Sequence, residues 1–199
     1  RDLAAWVASA RSFAEEVMRP AALSYDESEE YPLEPLRKAA GLGLTSYDLP
    51  AEYGGGGVEQ LRDRCAVIEE LTWGDSPMFW VIAQGGFFAG PVLALGSDEQ
   101  KRRWLPALAG REPPACSVAI TEPEHGSDSA AIETTARRVE GGWVIDGSKK
   151  FIGNAPVADV CIVFATVDPG SRSRGISAFV VERGDAGFVI GPRLPKMGS

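Results

Sequence analysis

The stretch Ala119-Ile120-Thr121-Glu122-Pro123-Glu124-His125-Gly126-Ser127-Asp128 stands where a helical sequence gives way to a β one. Pro123 fixes its own φ and pushes Glu122 towards an extended conformation, while Gly126 lets the backbone approach another molecule closely. Thr121 and Ser127 add hydroxyls to the N–H groups of a loop that no ladder pairs. That donor set suits an anionic or heteroaromatic ligand.

On the N-terminal side the period is helical. Asp2 is a plausible N-cap, and Leu3, Trp6, Val7, Ala10, Phe13, Val17 and Met18 keep helical spacing until Pro20, which is expected to stop the helix. A second helix is predicted over Glu34 to Ala40, closed by Gly41. A third is marked by Val58, Leu61, Cys65, Ile68 and Thr72, and a fourth by the apolar run after Ser76. Ser97-Asp98-Glu99-Gln100 has capping-box spacing for a fifth that ends near Gly110. The glycines at 54–57 follow a loop and fit no GxGxxG register, so they are no dinucleotide fingerprint.

Beyond Pro113-Pro114 the residues become β-branched, with strands predicted at Thr134 to Val139, Trp143 to Ile145, Val160 to Val167 and Ile176 to Val181, separated by glycine-rich turns. The expected fold is α+β: an N-terminal all-α helical domain over 1–112, then an antiparallel β-barrel or sandwich domain over 113–199, incomplete at its C-terminal end. No internal repeat is seen.

Composition narrows the function classes. A formal charge of −8 and a pI near 4.8 argue against binding a phosphate backbone, so nucleic acid is not expected as a partner. Cys65, Cys116 and Cys161 are odd in number, far apart and flanked by apolar residues, which suggests neither a disulfide framework nor a metal site. A reducing, cytoplasmic location is expected. No basic start followed by an apolar block marks a signal peptide, and the missing initiating Met hints that residues precede Arg1. Ser76 to Ser97 is uncharged and about as long as a membrane span, but Gln84, Gly85-Gly86 and Pro91 break it. A buried core helix, apolar on all sides, is the expectation.

Several generic enzyme motifs fail. Gly142 to Lys149 nearly matches a P-loop, but Ser148 replaces the required Lys and the interior favours a strand. His125, the only histidine, has no second His or paired Cys to complete a triad or metal cluster, and an exposed loop position is expected for it. Glu122 and Glu124 could act as general acids, although a solvated loop face is the expected reading. The better lead is that Ile120 to Asp128 and Gly147-Ser148-Lys149-Lys150-Phe151-Ile152-Gly153-Asn154 both lie at strand ends.

Together these segments identify a resemblance. Ile-Thr-Glu-Pro-x-x-Gly-Ser-Asp at 120–128, then Thr134-Thr135-Ala136, Gly-Gly-Trp-Val-Ile-Asp-Gly at 141–147, Lys-Lys-Phe-Ile-x-Asn at 149–154 and Ala158-Asp159 resemble the acyl-CoA dehydrogenases. Tyr53-Gly54-Gly55, Glu69-Glu70-Leu71, Gly175 to Val181 and Lys196-Met197-Gly198 match as well, so the likeness runs along essentially the whole chain.

The resemblance implies FAD, with Val118, Ala119, Ile120, Thr121, Gly126 and Ser127 running along the flavin ring and its pyrophosphate. Ser127 would also lie near the pantetheine arm of an acyl-CoA substrate. Phe151 aligns with an aromatic that packs on the flavin, an offset stack worth about 0.5–1.5 kcal/mol beyond area burial. Ile152 and Gly153 follow it, and Gly153 departs from the family, where many members carry Thr with its hydroxyl near flavin N5.

The implied reaction is α,β-dehydrogenation of an acyl-CoA thioester, in fatty acid metabolism. A carboxylate removes the α proton and hydride passes to N5. That base belongs to a C-terminal helical domain that this sequence does not reach, so a fragment is expected and no residue here is assigned as catalytic. An electron-transfer flavoprotein as electron acceptor and a homo-oligomer, tetramer or dimer, are implied by resemblance alone. A sister flavoprotein oxidase, of the acyl-CoA or nitroalkane type, and a non-catalytic binding half that needs a partner remain the alternatives.

Overall fold

The computed structural model describes residues 2–194 and Lys196; Met197 and Gly198 of the matched Lys-Met-Gly motif lie outside the described residues. The chain forms two compact units. One runs to Pro114 and takes in Arg193 and Leu194, and the other is Ala115–Pro192.

The first unit is helical. Helix α1, Leu3–Phe13, opens on Asp2, whose carboxylate accepts the Ala5 N–H at 2.8 Å. Pro20 does not stop it. The chain widens into a π-turn over Ala14–Met18 and resumes as α2, Arg19–Ser28, with Pro20 in its first turn. In a regular helix the proline ring would meet the carbonyl four residues back and leave it without a donor; the wider turn relieves that conflict.

Helix α3, Leu33–Leu42, ends at Gly43 and not at Gly41. Gly43 takes φ +81° and donates to the Ala40 carbonyl, while Leu44 donates to Ala39, a Schellman pair. The glycine run is dictated by packing. A Cβ on Gly55 would stand 2.1 Å from the Leu49 carbonyl oxygen, and one on Gly56 would stand 2.5 Å from the Trp6 ring.

Helix α4, Leu61–Gly74, is followed by a break where one apolar helix was predicted: α5, Ser76–Ile82, and α6, Gln84–Leu95, meet at 42°. Among the described residues no single helix is long and apolar enough to cross a membrane, although this bent pair has the length and composition together. Nor is the run buried all round. Trp80 is 54 % exposed and Phe87 48 %, and their rings stack at 5.2 Å. Helix α7, Asp98–Leu108, carries the full capping box between Ser97 and Gln100. Trp6, Phe13 and Met18 close the core against Val67, Leu71, Met78 and Ile82.

The second unit holds five strands: β1 Cys116–Ala119, β2 Thr135–Val139, β3 Gly142–Asp146, β4 Val160–Thr166 and β5 Ile176–Glu182. Four follow the predicted ranges to within one or two residues, and β1 was not predicted. The sheet is mixed and not closed, which corrects the expectation of an antiparallel barrel. β5 pairs antiparallel along one side of β4, while β1 pairs parallel with the start of its other side and β2 joins at its end. Only β2 and β3 are linked by a tight turn, which obliges them to run antiparallel. β1 is separated from β4 by forty residues, enough chain for a parallel crossover.

Candidate functional site

The site is built where β1 releases the chain. Ala119 is buried against Cys161 and Val163, with Ile145 and Ile152 packed on the same cluster, so the side chains of Ala119 and Ile152 belong to the core. Only their backbones remain for a ligand. Val118 is partly buried within β1, Ile120 is exposed, and Thr121 is half-buried.

After Thr121 the chain turns. The Glu122 N–H donates to the His125 carbonyl at 3.0 Å and His125 returns a bond at 3.3 Å, leaving Pro123 and Glu124 at the tip. Gly126 and Ser127 follow, exposed. Among the described residues no hydrogen bond uses the N–H groups of Thr121, Gly126 and Ser127, and a Cβ on Gly126 would meet nothing within 4 Å. Donors and space are thus offered to something outside the chain.

The second segment lies beside the first. The Lys150 N–H donates to the Thr121 carbonyl at 2.9 Å, and the Lys149 ammonium donates to the Ile120 carbonyl at 2.9 Å and to Glu122 Oε1 at 2.8 Å. The strand-end pairing expected from sequence is therefore realised. Beyond it, Phe151 has φ +59° and is 70 % exposed, with Lys150 Nζ 4.8 Å from its ring centroid. A left-handed conformation is uncommon for a bulky residue and costs about 1–2 kcal/mol. Gly153 is open, and a Cβ there would meet no atom within 4 Å. Arg183 anchors the far end of the segment, donating at 2.8 Å to the carbonyls of Ala158 and Pro156.

Glu122 corrects the expectation of a solvated loop carboxylate: the residue is only 5 % exposed. Its Oε2 accepts the Glu133 N–H at 2.6 Å, and its Oε1 accepts the Thr134 N–H at 2.9 Å along with the Lys149 ammonium. Burial pushes this carboxyl up, but the hydrogen bonds from Lys149 and the two amides outweigh it and hold the pKa at about 2. Burial lowers the Lys149 ammonium, against the pull of Glu122. His125 is partly buried with Nε2 3.6 Å from the Glu133 carboxylate, not in an open loop position. Asp128 pairs with Arg172 at 2.6 Å, an exposed contact that keeps its carboxyl below the usual range. Neither Lys149 nor Arg172 was singled out from sequence as a partner, since each pairing is set by the fold.

An open loop of unpaired donors thus lies beside a strained, exposed aromatic, a combination whose chemistry suits a flat, polar ligand. The N-terminal domain of acyl-CoA dehydrogenases matches residues 1–112 and the middle domain matches 117–199, and the chain belongs to this family. The human mitochondrial short-chain specific acyl-CoA dehydrogenase is 35 % identical over 189 residues, covering 94 % of this chain and 45 % of that protein. Among solved structures, butyryl-CoA dehydrogenase from Megasphaera elsdenii superposes with a TM-score of 0.88 at 29 % identity, over 98 % of this chain and 51 % of that one. An FAD complex of PigA gives 0.88 at 31 % identity, again over 98 % and 51 %. The chain thus spans about half the length of the relatives it matches.

Proposed function

We propose that these residues are the N-terminal and middle part of an FAD-dependent acyl-CoA dehydrogenase that forms an α,β-double bond in an acyl thioester. The observation that carries the reading is the clasped pair of segments, with free N–H donors and open glycines on one and the exposed Phe151 at φ +59° on the other. The donor set fits the group. The Thr121 N–H and hydroxyl suit the polar pyrimidine edge of an isoalloxazine, the Gly126-Ser127 turn suits a diphosphate, and the Phe151 face suits the ring. The backbones of Val118, Ala119, Ile120, Ile152 and Gly153 border the same edge.

FAD, when bound, supplies a hydride acceptor. This chain's own residues hold that acceptor and the thioester in reach of each other, with Ser127 as the shared donor. The proton-abstracting carboxylate is assigned to none of these residues. An electron-transfer flavoprotein as acceptor and a homo-oligomeric assembly follow from family resemblance. A reducing, cytoplasmic compartment is proposed on the odd number and wide spacing of Cys65, Cys116 and Cys161 in the sequence.

The test uses the full-length protein. Its visible spectrum is expected to show bound flavin that bleaches anaerobically with an acyl-CoA and recovers with an electron-transfer flavoprotein. Reduced flavin that oxygen reoxidises within seconds, and that ignores the flavoprotein, would assign a sister oxidase. A colourless protein that takes up no FAD would overturn the flavin reading.

A further inference from the structure

Nothing in the proposed reaction calls for Glu122 or Lys149, yet they form a nearly enclosed ion pair, with side chains 4 % and 10 % exposed. Three pieces of chain meet there. Through its amide bonds Glu122 ties its own turn to the start of β2, and Lys149 reaches back from the 147–153 segment to both the carboxylate and the Ile120 carbonyl. The Lys150 N–H to Thr121 bond lies next to this junction. No other polar contact among the described residues crosses from the 147–153 segment to the turn.

Stability alone does not explain the choice, since an apolar pair of similar volume often serves as well as a buried ion pair. A directional pair does what apolar packing does poorly: it fixes how far one segment slides along the other. We propose that Glu122 and Lys149 are positioning residues, a latch that sets the register between the donor loop at 120–127 and the Phe151 segment. The inference rests on the flavin reading for its consequence, though not for its geometry. A slip of the latch displaces the Thr121 and Ser127 donors from the Phe151 ring, and a ligand touching both segments loses contacts on one of them.

The experiment is a double-mutant cycle in the full-length protein with Glu122→Gln, Lys149→Met and the two together, plus Lys149→Arg. Lys149→Met leaves a buried carboxylate unpaired; should it not fold, the double variant, in which both charges are gone, and Lys149→Arg carry the test. Hydrogen exchange on flavin-free protein is read first. The Lys150 amide should exchange about tenfold faster in each neutral variant, the double no worse than the worse single, while amides of α1 and α4 hold their protection.

The dissociation constant of FAD should rise about tenfold or more in the same variants, and Lys149→Arg should restore it to within about threefold. Unchanged Lys150 exchange, or effects that simply add in the double variant, would overturn the latch. Faster exchange with unaltered FAD affinity would overturn its positioning role. A parent protein that binds no FAD would sink the flavin reading, while the exchange data would still decide whether the pair sets the register.

Discussion

Phe151 combines three properties that core packing does not ask for: a large aromatic side chain, a left-handed backbone and an exposed ring. Backbone strain of this kind persists where surrounding structure holds it, and it concentrates at ligand contacts. Phe151→Gly should therefore raise the stability of the flavin-free protein by up to about 1 kcal/mol while weakening FAD binding at least twofold; Phe151→Trp should keep the affinity. Denaturant melts and FAD titration check the two halves separately.

Two residues away, Gly153 stands in open space without a positive φ, so Gly153→Thr should fold normally. The added hydroxyl should move the midpoint potential of bound flavin. A spectroelectrochemical titration that superimposes on the parent's would remove that role from position 153.

Glu122 sets a pH dependence. Its carboxyl is held at about 2 in the folded chain against an ordinary 4.5, so the unfolded state binds the proton more readily between those values. Its stabilising contribution is present above about pH 4.5 and is lost as pH falls towards 2. Glu122→Gln should flatten the acid limb of the stability curve across that window, measured as denaturant stability against pH.

The elements show which sequence signals carry a fold and which do not. Helical spacing found α1 on its buried stripe and found α4 on a different one, since Val67, Leu71 and Gly74 are buried there while Leu61 and Cys65 of the expected stripe are exposed, and β-branched runs found four strands. Pro20 misled, since the rule that proline ends a helix presumes regular geometry upstream, and the π-turn at Ala14–Met18 removes that premise. β1 was missed because Cys116-Ser117-Val118-Ala119 is short and lacks both alternation and a flanking hairpin. At the site, the two segments could be paired on motif order, but Glu122 could not be read as buried. Its partner lies 27 residues further on, and charge in a turn otherwise means solvent.

The helix crossing at the π-turn offers a direct check. A Cβ on Gly74, at the end of α4, would stand 2.8 Å from the Ala14 Cβ and 3.0 Å from Met18 Sδ, both inside the turn. Gly74→Val should destabilise by about 1–3 kcal/mol through overpacking, seen as a lower denaturant midpoint with an unchanged m-value.

At the scale of the whole molecule, the two units manage their surfaces differently. The helical unit closes its own core, whereas the sheet of the second unit leaves β3 as an outer strand with Trp143 46 % and Val144 38 % exposed. The Trp143 ring meets Phe179 edge-on at 5.3 Å, which fixes it in place without covering it. Unpaired backbone groups beside exposed apolar side chains make such an edge a template for another strand, and natural sheets blunt it with charge or cover it. The only charge on β3 is Asp146 at its end.

The 199-residue polypeptide by itself should accordingly self-associate as its concentration rises, through this edge. Val144→Lys places an ammonium in the middle of β3, where a second strand would have to bury it. Sedimentation velocity over a hundredfold concentration range should show the association weakened in the variant, with far-ultraviolet circular dichroism unchanged. Equal association in both proteins would locate the contact elsewhere, and a monomer at every concentration in the unsubstituted chain would show that β3 is already protected within the fold.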